Sequence, residues 1–207
     1  MASSAAEPES TDSRGASPPW PIDSDSAHGA EASTDDRWIQ AELSPRAREI
    51  VVAARELLEA EGPEGLSMRR VAERVGIRAP SIYKHLPDKQ ALEAALMSAG
   101  FQEWAEVFEA AGETPEALGR AYRAYALAHP HLYRLMTERP LPRERLTPGV
   151  EERAARPIVD AVGGDPDAAR AVWAFAHGMT ILELNGRFPP GADLDAAWAT
   201  GMRAFRR

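Results

Sequence analysis

Residues 67–86 read SMRRVAERVGIRAPSIYKHL, and this stretch decides the fold. Met68, Val71, Ala72 and Val75 fall at i, i+3, i+4 and i+7, the spacing of one helical face. Ser67 precedes them as an N-cap, and Gly76 closes the helix. The pattern predicts a second short helix from about Ala79 to His85. Pro80 sits in its first turn, where a missing N–H is harmless. Pro87 ends it. Two short helices joined by a tight glycine turn and packed on a longer first helix form a helix-turn-helix. Ile82 is expected to face inward and hold the second helix on the core. Arg78, Ser81, Tyr83, Lys84 and His85 are then presented outward, as donors suited to phosphates and base edges.

The longer helix lies upstream. Ser44 followed by Pro45 is a helix start, and Ile50, Val51, Ala54, Leu57 and Leu58 make one apolar face. Gly62-Pro63 predicts its stop. Downstream, Asp88 can cap a long helix striped by Leu92, Leu96, Met97, Phe101, Trp104, Phe108 and Ala111, broken by Gly112 and Pro115. Leu118, Tyr122, Tyr125 and His129 stripe the next helix, ended by Pro130. A shorter helix spans His131–Thr137, and a proline-rich loop covers 138–149. Helices follow near 150–162, from Asp165-Pro166 to about Phe188, and over about 193–205. No alternating strand and no internal repeat is found. The chain reads all-α: an N-terminal three-helix helix-turn-helix domain (45–92, motif 67–86) plus a C-terminal helical ligand-binding and dimerisation domain (93–207). Residues 1–44, rich in Ser, Ala, Pro and Asp, are expected to be a disordered acidic tail. Trp38–Leu43 are its one stretch that could lie along the next domain.

The net charge of −8 is unevenly spread. Residues 1–44 hold nine acidic residues against Arg14 and Arg37, a balance of −7. Residues 45–92 hold nine Lys/Arg against seven Asp/Glu, a balance of +2. Local charge, more than the total, governs phosphate binding. The absence of cysteine excludes disulfides, thiolate metal sites and cysteine nucleophiles. No secretory signal and no membrane-length apolar run is read, so a soluble cytoplasmic protein is expected. There is no glycine-rich phosphate loop, no G-x-S-x-G and no metal box. His129, His131 and His177 have no i,i+4 partner for a metal. His177 and Glu183 lie six apart on one helix and face different sides. The expectation is therefore no enzyme, no metal and no cofactor.

Residues Ser67–Leu86, with Lys89 and Leu92, resemble the N-terminal domain of the tetracycline-repressor (TetR) family. The spacing from Val71-Ala72 through Gly76 to Tyr83, His85 and Lys89 carries the resemblance. One departure is Leu86, where the family usually has phenylalanine; another apolar side chain there still plugs the core. The resemblance implies a bacterial transcriptional regulator, by family default a repressor. Its homodimer would set two recognition helices in adjacent major grooves of a near-palindromic double-stranded operator. By the same resemblance Tyr83, Lys84 and Ser67 are phosphate-contacting positions, and Lys89 meets the backbone. Arg78, Ala79 and Ser81 face base edges. Arg69 and His85 complete the candidate DNA-binding set. Arg46, Arg48 and Arg55 are read as solvated surface.

Further on, Trp173-Ala174-Phe175-Ala176-His177-Gly178 and His129–Met136 resemble a Trp-His-Gly type of C-terminal domain found in some of these regulators. That resemblance implies pairing of the last two long helices across a two-fold axis. The residues agree: the helix from 166 is apolar on several faces, and such a helix must be buried. The family also implies an effector pocket for an unidentified small molecule. Phe101, Trp104, Phe108, Tyr122, Tyr125, Tyr133, Trp173 and His177 are its candidate lining, with ordinary core as the competing reading. A different class of function, a protein-interaction module acting through the acidic tail, remains the alternative.

Overall fold

The computed structural model describes residues 43–206. Among them are nine α-helices: α1 (Pro45–Gly65), α2 (Met68–Arg74), α3 (Ala79–Ile82), α4 (Lys89–Ala111), α5 (Pro115–Ala128), α6 (Pro130–Thr137), α7 (Val150–Ala161), α8 (Pro166–Leu184) and α9 (Leu194–Arg203). A 3-10 turn, Arg143–Arg145, interrupts the loop before α7. The described residues include no strand, as the pattern predicted. The acidic segment and most of Trp38–Leu43 lie outside the described residues. Leu43 itself packs partly buried on the core.

Local chemistry sets most boundaries. Ser44, Ser67, Asp88, Thr114, Asp165 and Asp193 each accept a hydrogen bond from a backbone N–H in the first turn of the helix they precede. Three boundaries differ from the sequence expectation. Gly62, with φ +72°, kinks α1 without stopping it. Pro63 opens one more turn there, which Leu66 N–H closes on the Pro63 carbonyl at 3.2 Å. Helix α3 is only four residues long. Tyr83–His85 continue as turns, with His85 N–H bonding the Ile82 carbonyl at 2.9 Å. Pro87 disfavours helical geometry just before it, which forces the early exit. Helix α8 ends at Leu184, before Phe188, because Gly186 and Arg187 N–H groups turn back onto Glu183 and Leu182.

The core runs unbroken from Ile50 in α1 to Met202 in α9. Helix α4 is its spine. Its first turns bury Ala91 and Leu92, which join the cluster holding Val71, Ile82 and Leu86 of the N-terminal unit. Its later turns bury Phe101, Trp104 and Phe108 against α5, α6 and α7.

Candidate nucleic-acid interface

The turn between α2 and α3 fixes the interface. Ile77 N–H bonds the Ala72 carbonyl at 2.9 Å and Gly76 N–H bonds the Glu73 carbonyl at 3.2 Å. This is a Schellman closure, and it requires the left-handed conformation of Gly76, φ +68°. The chain leaves that turn with Arg78 exposed and Ile82 fully buried, as expected from the sequence. Ile82 anchors α3 on the core. Tyr83 is 50% exposed, Lys84 is exposed, and Ala79, Ser81 and His85 are partly exposed. Leu86 is fully buried and plugs the core in the place of the usual phenylalanine.

The charges of this end divide into two sets. Arg69 pairs with Glu73 at 3.8 Å, Arg74 with Glu56 at 2.8 Å, and Lys89 with Glu93 at 3.6 Å. Arg70 donates to Glu61 at 2.6 Å and to the Gly65 carbonyl at 3.3 Å. Arg78 and Lys84 enter no ion pair among the described residues, and neither does exposed Arg48. The hydroxyl oxygen of Ser67 accepts from Arg70 N–H at 3.3 Å, leaving its proton free to donate. Two of the arginines read as solvated surface are not so. Arg46 donates to the Val75 carbonyl at 3.0 Å as well as pairing with Glu49. Arg55 spans Glu103 through both guanidinium ends at 3.2 Å and approaches Glu59 at 3.7 Å. Their partners lie 29 and 48 residues away, beyond the reach of a helical-face argument.

Sequence reasoning also missed the joints between this end and the rest. Glu59 of α1 accepts from the backbone N–H groups of Leu132 at 2.9 Å and His131 at 3.3 Å, at the start of α6. A carboxylate is favourable at a helix N-terminus. The His131 ring lies against the Gly62 kink, where a Cβ would stand 3.3 Å from it. Asp88, while capping α4, is gripped by Arg145 at 3.1 Å. Nothing in the local pattern marks either contact.

The eight candidate pocket residues come together. Trp104 is their hub, with ring centroids 5.2 Å from Tyr122, 5.8 Å from Phe101, 5.9 Å from Phe108 and Tyr125, and 6.1 Å from Tyr133. His177 continues the cluster, 5.9 Å from Tyr133 and 5.8 Å from Trp173. A polar thread runs through it. The Tyr122 and Tyr133 hydroxyls are 3.0 Å apart, and Tyr133 Oη lies 2.8 Å from His177 Nδ1. Tyr125 donates to Glu103 at 2.7 Å. Burial raises the Tyr122 phenol well above its ordinary range, and the Tyr133 hydroxyl beside it adds to this. Burial likewise pushes Tyr133 up to about 12. It pushes His177 down, against the opposing charge of Glu138, so the imidazole favours its neutral form. Among the described residues, no group of three or more His, Asp or Glu is arranged to hold a metal. None of their helices is long and apolar enough to cross a membrane.

This arrangement, a glycine-locked helix pair with an outward cationic edge, defines a helix-turn-helix transcriptional regulator. Residues 50–96 match the bacterial regulatory proteins of the tetR family, and residues 116–205 match the tetracyclin repressor-like C-terminal domain. The HTH-type transcriptional regulator YobS of Bacillus subtilis is 33% identical over 179 residues, 79% of this chain and 94% of YobS. The class C tetracycline repressor of Escherichia coli is 49% identical over 53 residues, 25% of this chain and 24% of that repressor. The regulatory protein SCO4313 shares the fold with a TM-score of 0.64 and 25% identity, over 77% of this chain and 94% of that one. A TetR variant from Acinetobacter baumannii AYE, solved in complex with minocycline, matches with a TM-score of 0.54 and 26% identity, over 75% and 91% of the two chains. The chain belongs to the TetR family of transcriptional regulators.

Proposed function

We propose that this regulator binds a near-palindromic operator as a homodimer and releases it when a small molecule enters its C-terminal half. The observation that carries the reading is the outward position of Arg78 and Lys84, without an ion pair among the described residues, beside half-exposed Tyr83. Unpaired cations can meet phosphates without first breaking a protein ion pair. Lys84, Tyr83 and the Ser67 hydroxyl contact the DNA backbone, with Arg69 and Lys89 at the flanks. Arg78, Ala79, Ser81 and His85 approach base edges, where an arginine reads guanine bidentately. Residues 45–92 act as the DNA-binding domain and 93–207 as the effector and dimerisation domain.

Helices α8 and α9 form the dimer contact. In one chain α8 buries only Ala169, Val172, Ala176 and Thr180. Met179, Ile181 and Leu184 stay half-buried, and Leu182 is 42% exposed. Apolar residues left open on several sides of one helix call for a partner surface. The ring cluster around Trp104 receives the effector, with Tyr122, Tyr133 and His177 as polar handles. An effector that parts these rings shifts α4 and α6, and the Glu59 and Asp88 joints carry the shift to the recognition helices.

The test is selection of bound sequences from randomised duplex DNA. A palindromic motif is the expected result. No enrichment by the folded, dimeric protein overturns the reading.

A further inference from the structure

Helices α5 and α9 meet along a seam that opens into a cleft of about 640 Å³. They approach closely because residue 119 is glycine; a Cβ there would stand 2.6 Å from Met202 Cε. One end of the seam is a neutral pair, and at the other two carboxylates outweigh one guanidinium. Glu116 pairs with Arg206 at 2.6 Å at one end, and Arg123 pairs with Asp195 and Glu183 at the other. The pairing order makes the two helices antiparallel. Between these ends the balance differs. Arg120, midway along α5, has no ion pair among the described residues, and Arg203 donates only to Thr200 Oγ1 at 2.9 Å. Both are exposed and both line the cleft. The cleft is also lined by Leu127, Met202 and Trp198. Leu127 is 40% exposed, and the buried Trp198 indole N–H finds no acceptor among the described residues. Two guanidiniums without a carboxylate partner among the described residues therefore flank apolar walls, which also hold an indole donor without an acceptor there.

We propose that this seam binds an amphipathic anion, a carboxylate or phosphate head on an apolar body. The head takes charge-assisted hydrogen bonds from Arg120 and Arg203, and the apolar body covers Leu127 and Met202. The site is separate from the ring cluster around Trp104 and from the DNA-facing edge. It stands whether or not the operator reading does.

The test uses the full chain and displacement of the fluorescent anion 8-anilinonaphthalene-1-sulfonate. Dodecanoate is the probe and dodecanol its uncharged control. Dodecanoate is expected to bind the more tightly. The double variant Arg120→Ala/Arg203→Ala should weaken it about tenfold or more, by loss of two charge-assisted bonds. Ala199→Trp, which fills the cleft and keeps the charges, should abolish dodecanoate binding. Thermal unfolding confirms that each variant is folded. Equal affinity for dodecanoate and dodecanol overturns the proposal. So does unchanged dodecanoate affinity in the double variant. Dissociation of the protein to monomers by either variant, in sedimentation, would make the seam a subunit contact and also overturn it.

Discussion

The chain has four tyrosines, and its two halves use them in opposite ways. Tyr83, at the end of the recognition segment, is 50% exposed. Tyr122, Tyr125 and Tyr133 are 2%, 6% and 0% exposed in the C-terminal half. The cations divide similarly. Arg78 and Lys84 enter no ion pair among the described residues at the proposed DNA-facing edge, while Arg55, Arg143 and Arg145 are locked onto carboxylates at the joints and in the C-terminal half. The difference teaches that residue type alone does not mark function. A polar side chain left without a protein partner can meet a ligand directly, whereas one already satisfied must first give up that partner.

The contrast is broken most severely at Trp104. Trp104→Ala removes the hub of the ring cluster and should cost about 3–5 kcal/mol, read by urea unfolding. A loss near zero would mean the rings are not a packed core. At the other end Arg78→Ala should leave stability unchanged and relax one base-pair preference in each half-site of the selected motif, by about 1–3 kcal/mol apiece. Uniform weakening on all sequences would argue for a phosphate contact instead. Lys84→Ala should do what Arg78→Ala does not: weaken every sequence and reduce the salt slope of the dimer by about 2, one phosphate contact in each half-site. An unchanged slope would remove Lys84 from the backbone-contacting set.

Gly76→Ala probes the turn between these sets. No atom lies within 4 Å of the added Cβ, so the cost is purely the left-handed backbone, about 1–2 kcal/mol. Operator affinity should fall along with stability, because the turn aims α3. The smallest effect concerns His177. Its imidazole contacts Tyr133, stacks on Trp173 and feels Glu138, with burial holding its folded-state pKa below the ordinary value. A depressed histidine contributes stability that is complete above its unfolded pKa and is lost as pH falls through the folded one. The protein should therefore weaken progressively below about pH 6.5. His177→Gln should flatten that decline in unfolding midpoints between neutral and mildly acid pH. An identical decline in the variant would assign it to other groups.

The sequence by itself determined the all-α class, the helix order and the helix-turn-helix. It could do so because caps, glycine turns and apolar periodicity act within a few residues of each other. Ser67, Gly76 and Asp88 illustrate this, each setting a boundary through bonds to neighbours three to five residues away. The shortening of α3 and the kink at Gly62 were not legible, since a proline or glycine announces a break without saying how the chain proceeds. The tertiary structure alone decided which charges are spent and which are spare. Arg55 and Arg120 look alike in sequence. Yet Arg55 meets Glu103, 48 residues away, while Arg120 meets no carboxylate among the described residues. The gathering of seven other side chains into the Trp104 cluster, the Glu59 joint and the cleft between α5 and α9 follow the same rule. Each depends on helices that are distant in the chain and become neighbours only when the apolar core closes.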